Sequence, residues 1–337
     1  MKPLVTIITV TRNIVEDGRL SFLKQNFESV RSQTYSNIEH LVIDGASTDG
    51  TLDILKEYEE KGWIRLISEK DSGIFDAMNK GHKNANGKYA LVLNSDDYYA
   101  SNDVIENLVN LAENEDLDYV YGNQVTISRD SKKILQVWKP TTYAFWQLMP
   151  FNHPTMMIKN EVVHKMGFYR TDFSTVADYL FVLKLILDDY KGQWLDKDIV
   201  MFRNGGASFA EDSLFEFDRW QYTRLVRVYH WFYSKFDDRL TEEEIIRNYM
   251  YSLGGSYDEL FFIRLKRYMI NLNLKNFNYE EFIKHIDYLR KRNDKDSLCL
   301  EKIIKICGIP LFKIYRRENF IKVKFLGLEI YKEKEIK

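Results

Sequence analysis

The chain has 337 residues, 45% hydrophobic and 29% charged, the proportions of a folded protein with at least one sizeable core and not of a disordered chain. A formal net charge of −2 gives no basis for a nucleic-acid partner. No apolar run approaches the ~20 residues of a membrane-spanning helix, so any membrane contact is expected to be peripheral.

Near-neutrality conceals an asymmetry. From Ser213 to Lys337 there are 25 Lys and Arg against 19 Asp and Glu, a balance of +6, which leaves −8 for the rest of the chain. An acidic first part beside a basic second part suggests a metal-dependent site in one and an anionic surface contact in the other. Cys299 and Cys307 are too few for a disulfide framework and point to a reducing compartment. Met1-Lys2-Pro3 leads into a β-rich run and not into a signal peptide's apolar region, so a cytoplasmic location is expected.

In chain order, Leu4 to Thr11 reads as a buried first strand because it is rich in β-branched residues. Leu20, Leu23, Phe27 and Val30 share one helical face. His40 to Ile43 is a second strand; a polar turn from Asp44 to Thr51 then opens a helix that buries Leu52 and Leu55. Ile64 to Ile67 is a third strand, Ile74 to His82 a helix, Tyr89 to Leu93 a fourth strand, and Val104 to Ala112 a helix. Such alternation predicts βαβ units and a mostly parallel central sheet flanked by helices. Each strand is followed by a polar cluster, at Thr11-Arg12-Asn13, Asp44 to Asp49, Lys70 to Ser72 and Asn94 to Asp97. In an open α/β sheet these clusters converge on the rim where ligands bind.

Beyond that core, Tyr119 to Tyr121 and Gln124 to Ile127 read as short antiparallel strands, Thr155 to Ile158 as another strand, and Glu161 to Met166 as a short helix stopped by Gly167. Ala177 to Leu187 is an apolar helix opening with Asp178. After about residue 210 the chain reads as a second, mainly helical region, 211–337. It carries a capping box at Thr241 and Glu244, a helix start at Asn278 with Glu281, and a terminal hairpin from Ile321 to Ile330 with one basic face.

The chemistry centres on Asp96 and Asp97. No glycine-rich phosphate cradle is present, so a rim that binds a polyanion needs a cation, and paired carboxylates are hard ligands for Mg²⁺ or Mn²⁺. Such a cation neutralises charge developing on a departing phosphate. A solvated turn or helix cap is the plainer reading of an Asp-Asp pair; mutual repulsion at a strand end favours the metal.

Four segments carry a resemblance: Leu4 to Asn13, Asp44 to Thr51 (DGASTDGT), Ser68 to Gly81 (SEKDSGIFDAMNKG) and Asn86 to Asp97 (NGKYALVLNSDD). In order, they resemble the successive motifs of family 2 glycosyltransferases, a match covering roughly residues 3 to 210. The resemblance implies a GT-A fold over residues 1–210 and an inverting transfer of sugar from a UDP-linked donor to a hydroxyl of a glycan or lipid-linked acceptor, in bacterial surface-polysaccharide synthesis.

Carried over residue by residue, it implies that Thr11, Asn13, Asp44 and Asp71 line the nucleoside pocket, that Asp96 faces the ribose and that Asp97 holds the metal. Asn94 stands where many members have Asp. Asp178 is similar to the family's general base, with Ala177 in place of a common Glu; its plainer reading is a helix cap. His153, Lys80 and Ser208 are the candidates to touch acceptor or diphosphate. The aromatic and basic stretch from Trp220 to Lys235 is read either as docking on the inner face of the plasma membrane or as a subdomain packed on the first domain or on a second subunit, the latter making a homo-oligomer. The competing reading of the whole chain is a non-catalytic scaffold that binds nucleotide sugar or glycan on the same fold.

Overall fold

The computed structural model describes residues 2–142, 149–172, 177–205, 274–275, 277–284 and 287, and the backbone of four strands between 299 and 334. Two compact units divide the chain, one of residues 1–142 with 149–209 and one of residues 143–148 with 210–337.

In the first unit, strands β1 (Val5–Thr11), β2 (Ile38–Asp44), β3 (Arg65–Ser68) and β4 (Tyr89–Val92) alternate with helices α1 (Leu20–Arg31), α2 (Thr51–Glu60) and α3 (Ile74–Asn84). They pair in parallel, as the alternation predicts, and their order in the sheet is β3-β2-β1-β4. The register sets Thr11 beside Asp44 and Asp44 beside Ser68, so three strands end level along one rim. β1 is buried along its whole length, as a strand covered on both faces must be. Val5 and Ile7 join a core with Leu91, Leu108 of α4 (Val104–Asn114), Val120 and Ile199. Ile8 points the other way, against α3, where a Cβ on Gly81 would lie 2.3 Å from its Cγ2; only glycine permits this approach. A second cluster joins Leu23 and Phe27 of α1 to Val42 and Leu55.

The far half of the sheet departs from the sequence reading. The two short runs after Tyr119 form one nine-residue strand, β6 (Tyr119–Ile127), with a register irregularity between Tyr121 and Gln124. It pairs antiparallel with β7 (Ile134–Trp138) and β8 (Met157–Lys159), and parallel with the twelve-residue β9 (Gly192–Arg203), which in turn pairs antiparallel with the two-residue β5 (Tyr98–Tyr99). β9 escapes a reading by periodicity because Asp196, Lys197 and Asp198 interrupt its apolar residues. The strand expected at Thr155 to Ile158 splits into a 3₁₀ turn, His153–Thr155, and the short β8. α5 (Asn160–Met166) ends at Gly167, whose φ of 83° is the left-handed C-cap predicted for it. α6 (Ala177–Leu187) buries nearly every side chain.

In the second unit, residues 279–284 are helical and the Asn278 side chain accepts the backbone N–H of Glu281, the expected start signal. The terminal hairpin is present as β12 (Phe320–Phe325) and β13 (Leu328–Lys334), but it belongs to a four-stranded antiparallel sheet with β10 (Cys299–Ile306) and β11 (Ile309–Arg317). The described part of the region thus holds two strands, β10 and β11, beyond the hairpin read from its sequence. The capping box at Thr241 and the Trp220 to Lys235 stretch lie outside the described residues. Among the described residues, no helix is long and apolar enough to cross a membrane.

Candidate active site

The level strand ends build the first wall. Asp44 is fully buried at the end of β2. Its Oδ1 accepts from the hydroxyls of Ser47 and Thr11, the latter at 3.3 Å, and its Oδ2 accepts from the Ser47 backbone N–H at 2.9 Å and the Ser68 hydroxyl at 2.7 Å. Thr11 is likewise buried. A nucleoside that reaches Asp44 has to displace one of these donors. Asn13 lies at the surface of this wall in a left-handed conformation, φ 46°. Its N–H donates to Ser47 Oγ at 2.9 Å and its Oδ1 accepts the Thr48 N–H at 3.2 Å, which joins the loop after β1 to the loop after β2.

Ala46, at φ 56°, occupies a conformation that costs a non-glycine residue energy, here at the mouth of the wall. Half-buried Asp71 covers Gly45 so closely that a Cβ there would come within 2.2 Å of its Oδ2. Ser47 and Ser68 are binders of Asp44 that pattern reasoning missed; the ends of the predicted strands were the signal.

Beyond β4 the chain turns sharply, the Asp97 N–H donating to the Asn94 carbonyl at 3.0 Å. Asp97 points inward. It is 1% exposed; its Oδ1 accepts the Arg203 backbone N–H at 2.8 Å and its Oδ2 accepts the Asn94 amide at 3.1 Å. Burial and the neighbouring Asp96 charge push its carboxyl well above the usual carboxylate range, against the pull of the Arg203 and Asn94 donors. Asp97, expected to present its carboxylate to a metal, has each oxygen engaged by one protein donor. Asp96 is half-buried, and among the described residues no hydrogen bond or ion pair engages its carboxylate.

Two buried residues hold this turn. Asn26, on the apolar face of α1, donates its amide to the carbonyls of Asn94 and Asp97, both at 2.9 Å. Arg203, at the end of β9, donates Nε to the Asp96 carbonyl at 2.9 Å and Nη2 to Gln25 at 2.7 Å, while its guanidinium stacks over Phe22 with 4.0 Å to the ring centre. Asn26 was legible as a polar residue on the stripe of Leu23, Phe27 and Val30; Arg203 was not.

Among the described residues no group of three or more His, Cys, Asp or Glu gathers as a metal cage. Asp96 and Asn94 Oδ1 nevertheless offer oxygen donors, and Asn94 Oδ1 is buried without a hydrogen-bond partner among the described residues. That set fits a hard divalent cation which takes its remaining ligands from a diphosphate and water.

At the start of α6, the Asp178 Oδ2 lies 3.0 Å from His153 Nδ1, with the two side chains 26% and 12% exposed. Burial opposes the charge on Asp178, but the His153 hydrogen bond and the Tyr179 N–H outweigh it and hold the carboxyl below its usual range. Lys80 is engaged by the protein: its Nζ donates to the Lys70 carbonyl at 2.6 Å and pairs with Glu69 at 3.1 Å. Ser208 lies outside the described residues. A cavity of about 480 Å³ lined by Gly87, Lys88, Lys159, Asn160, Glu161 and His164 opens at the amino end of β4, opposite the rim.

Comparison with known proteins bears on the family and the fold. The chain is 28% identical over 190 residues to a PGL/p-HBAD biosynthesis glycosyltransferase of Mycobacterium bovis, spanning 55% of this chain and 67% of the relative. It is 32% identical over 201 residues to an uncharacterized glycosyltransferase of Mycobacterium tuberculosis, spanning 55% and 70%. Its fold is shared with S. aureus TarS in complex with UDP-GlcNAc, at TM-score 0.53, 14% identity and coverage of 99% and 100%. It is also shared with the mannosyltransferase PcManGT of Pyrobaculum calidifontis in complex with GDP-Man and Mn²⁺, at TM-score 0.53, 17% identity and coverage of 88% and 87%. Matched by the family model over residues 6–176, half of its length, and built on the same sheet, the chain belongs to glycosyl transferase family 2.

Proposed function

We propose that this protein transfers a sugar, with inversion, from a UDP-linked donor to a hydroxyl of a glycan or lipid-linked acceptor. The wall of Asn13, Asp44 and Asp71 receives the nucleoside, with Thr11 and Ser47 setting the Asp44 carboxylate. Asp96 and Asn94 hold Mn²⁺ or Mg²⁺, which when bound neutralises charge on the leaving diphosphate. Asp97 maintains the turn from within. Asp178 takes the proton of the acceptor hydroxyl as its oxygen bonds the anomeric carbon. The anomeric C–O bond breaks on the opposite face, and its electron pair leaves with the nucleoside diphosphate.

The observation that carries this reading is the opposite facing of two adjacent carboxylates at the carboxyl end of β4: Asp97 buried and doubly hydrogen-bonded, Asp96 at the rim without a protein partner among the described residues. An inward carboxylate fits a structural role, and an outward one fits a ligand for a cation. Incubating the protein with Mn²⁺ and UDP-glucose, UDP-N-acetylglucosamine or GDP-mannose, and following nucleoside diphosphate release, tests it. Release that falls at least ~100-fold in Asp96→Ala and in Asp178→Ala is expected. Binding of a donor without release in any combination would instead favour the scaffold reading.

A further inference from the structure

His153 and Asp178 are brought together by two rigid segments. His153 opens the 3₁₀ turn with Pro154 as the next residue. Thr155 donates its N–H at 3.0 Å and its hydroxyl at 2.8 Å to the Asn152 carbonyl, and the Met156 N–H donates to the His153 carbonyl, so the backbone under the imidazole has little freedom. Asp178 sits in the first turn of α6, a helix anchored by its buried Tyr179, Leu180, Phe181 and Val182. Its Oδ1 accepts the Tyr179 N–H at 2.9 Å and its Oδ2 accepts from His153 Nδ1 at 3.0 Å. His153 Nε2 is wholly buried and meets no hydrogen-bond partner among the described residues.

An ionised carboxylate only accepts, so Nδ1 carries the proton of this hydrogen bond. His82 and Tyr169 share these surroundings, and burial holds both neutral near pH 7: His82 is lowered to about 4 and Tyr169 is raised. The hydrogen bond from His153, with that of the Tyr179 N–H, fixes how the Asp178 carboxylate is turned. A base with one oxygen bound on each side has a defined lone-pair direction left for the incoming hydroxyl.

We infer that His153 is a positioning residue for Asp178: its Nδ1–H locks the carboxylate in the orientation that receives the acceptor proton, and His153 itself touches neither acceptor nor diphosphate. This rests on the reading of Asp178 as the base. It replaces the expectation of direct contact, because the nitrogen facing Asp178 is already used and the other is buried. A residue acting through orientation changes turnover and not donor affinity.

Two measurements on the full chain test it. Long-range ¹H–¹⁵N correlation of the histidine-labelled protein should show a protonated Nδ1 for the resonance that disappears in His153→Asn; a ring without a proton on Nδ1 would overturn the proposal without any donor being needed. With the donor that supports release, His153→Leu should lower kcat about 10- to 100-fold while the donor KM stays within about twofold. His153→Asn, whose amide nitrogen can take the place of Nδ1, should recover kcat to within about fivefold of the parent. Unchanged kcat in His153→Leu, or equal loss in both variants with a raised donor KM, would overturn it. Unchanged release in Asp178→Ala would instead remove the base reading, which separates the two failures.

Discussion

Arg203 and Asp97 are joined backbone to side chain: the N–H of Arg203 donates to Asp97 Oδ1 at 2.8 Å across 106 residues of sequence. This bond makes the end of β9 part of the turn that follows β4, and it turns one of two adjacent carboxylates into the interior. The other is left to face the rim.

The division predicts opposite phenotypes for the pair. Asp97→Ala leaves the buried Arg203 N–H and the Asn94 amide without their acceptor, and should lower stability by about 2–4 kcal/mol in urea titration. Asp96→Ala removes an exposed-side carboxylate and should stay within about 0.5 kcal/mol of the parent while abolishing the stabilisation that Mn²⁺ with a UDP-sugar confers in thermal unfolding. Equal stability loss in both would contradict the inward and outward assignment.

Asn26 offers a second check on the same turn. Its amide satisfies two backbone carbonyls at once from a fully buried position. Asn26→Asp removes the donors and places a charge among acceptors, so it should cost more than Asn26→Ala, which itself is expected to cost about 2–3 kcal/mol. The comparison is made by denaturant midpoint at pH 7.

At the helix–sheet contact, Gly81→Ala would drive a methyl to 2.3 Å from Ile8 Cγ2. Overpacking of this kind costs about 1–3 kcal/mol. The double variant Ile8→Ala/Gly81→Ala should lose less than the sum of the two single variants, because the clash disappears with the isoleucine methyl. Strict additivity would mean that α3 simply moves away from β1.

Asp49, before α2, supplies a pH prediction. Burial slightly opposes its charge, but the Glu16 N–H and the hydroxyl and N–H of Thr51 outweigh it and hold the pKa at about 2 against 3.8. A carboxylate with a depressed folded pKa stabilises the fold fully above its unfolded value and loses that contribution as pH falls through its folded one. Asp49→Ala should therefore cost about 1 kcal/mol at pH 7, a helix-cap magnitude. The gap between variant and parent should close between pH 4 and 2. A gap independent of pH would show that the charge of Asp49 is irrelevant.

Sequence and structure agree most closely where local pattern suffices. The four β-rich runs, the helices between them and the Gly167 stop were legible because burial on both faces of a strand, or on one stripe of a helix, leaves a periodic mark. β9 left none, since its polar residues break the alternation, and with it Arg203 was invisible. The C-terminal hairpin was legible from its alternation, but its two companion strands were not.

By itself, then, the sequence determined the fold family, the succession of strands and helices along the chain and the placing of acidic clusters after β2 and β4, because these depend on residues near one another in the chain. It could not decide which of Asp96 and Asp97 faces the rim, how Asp44 is held, or what touches Asp178. In a turn, neighbouring side chains have no fixed alternation; each points where a donor awaits it. Those donors, Arg203, Ser68 and His153, come from distant segments that only the tertiary structure brings within reach.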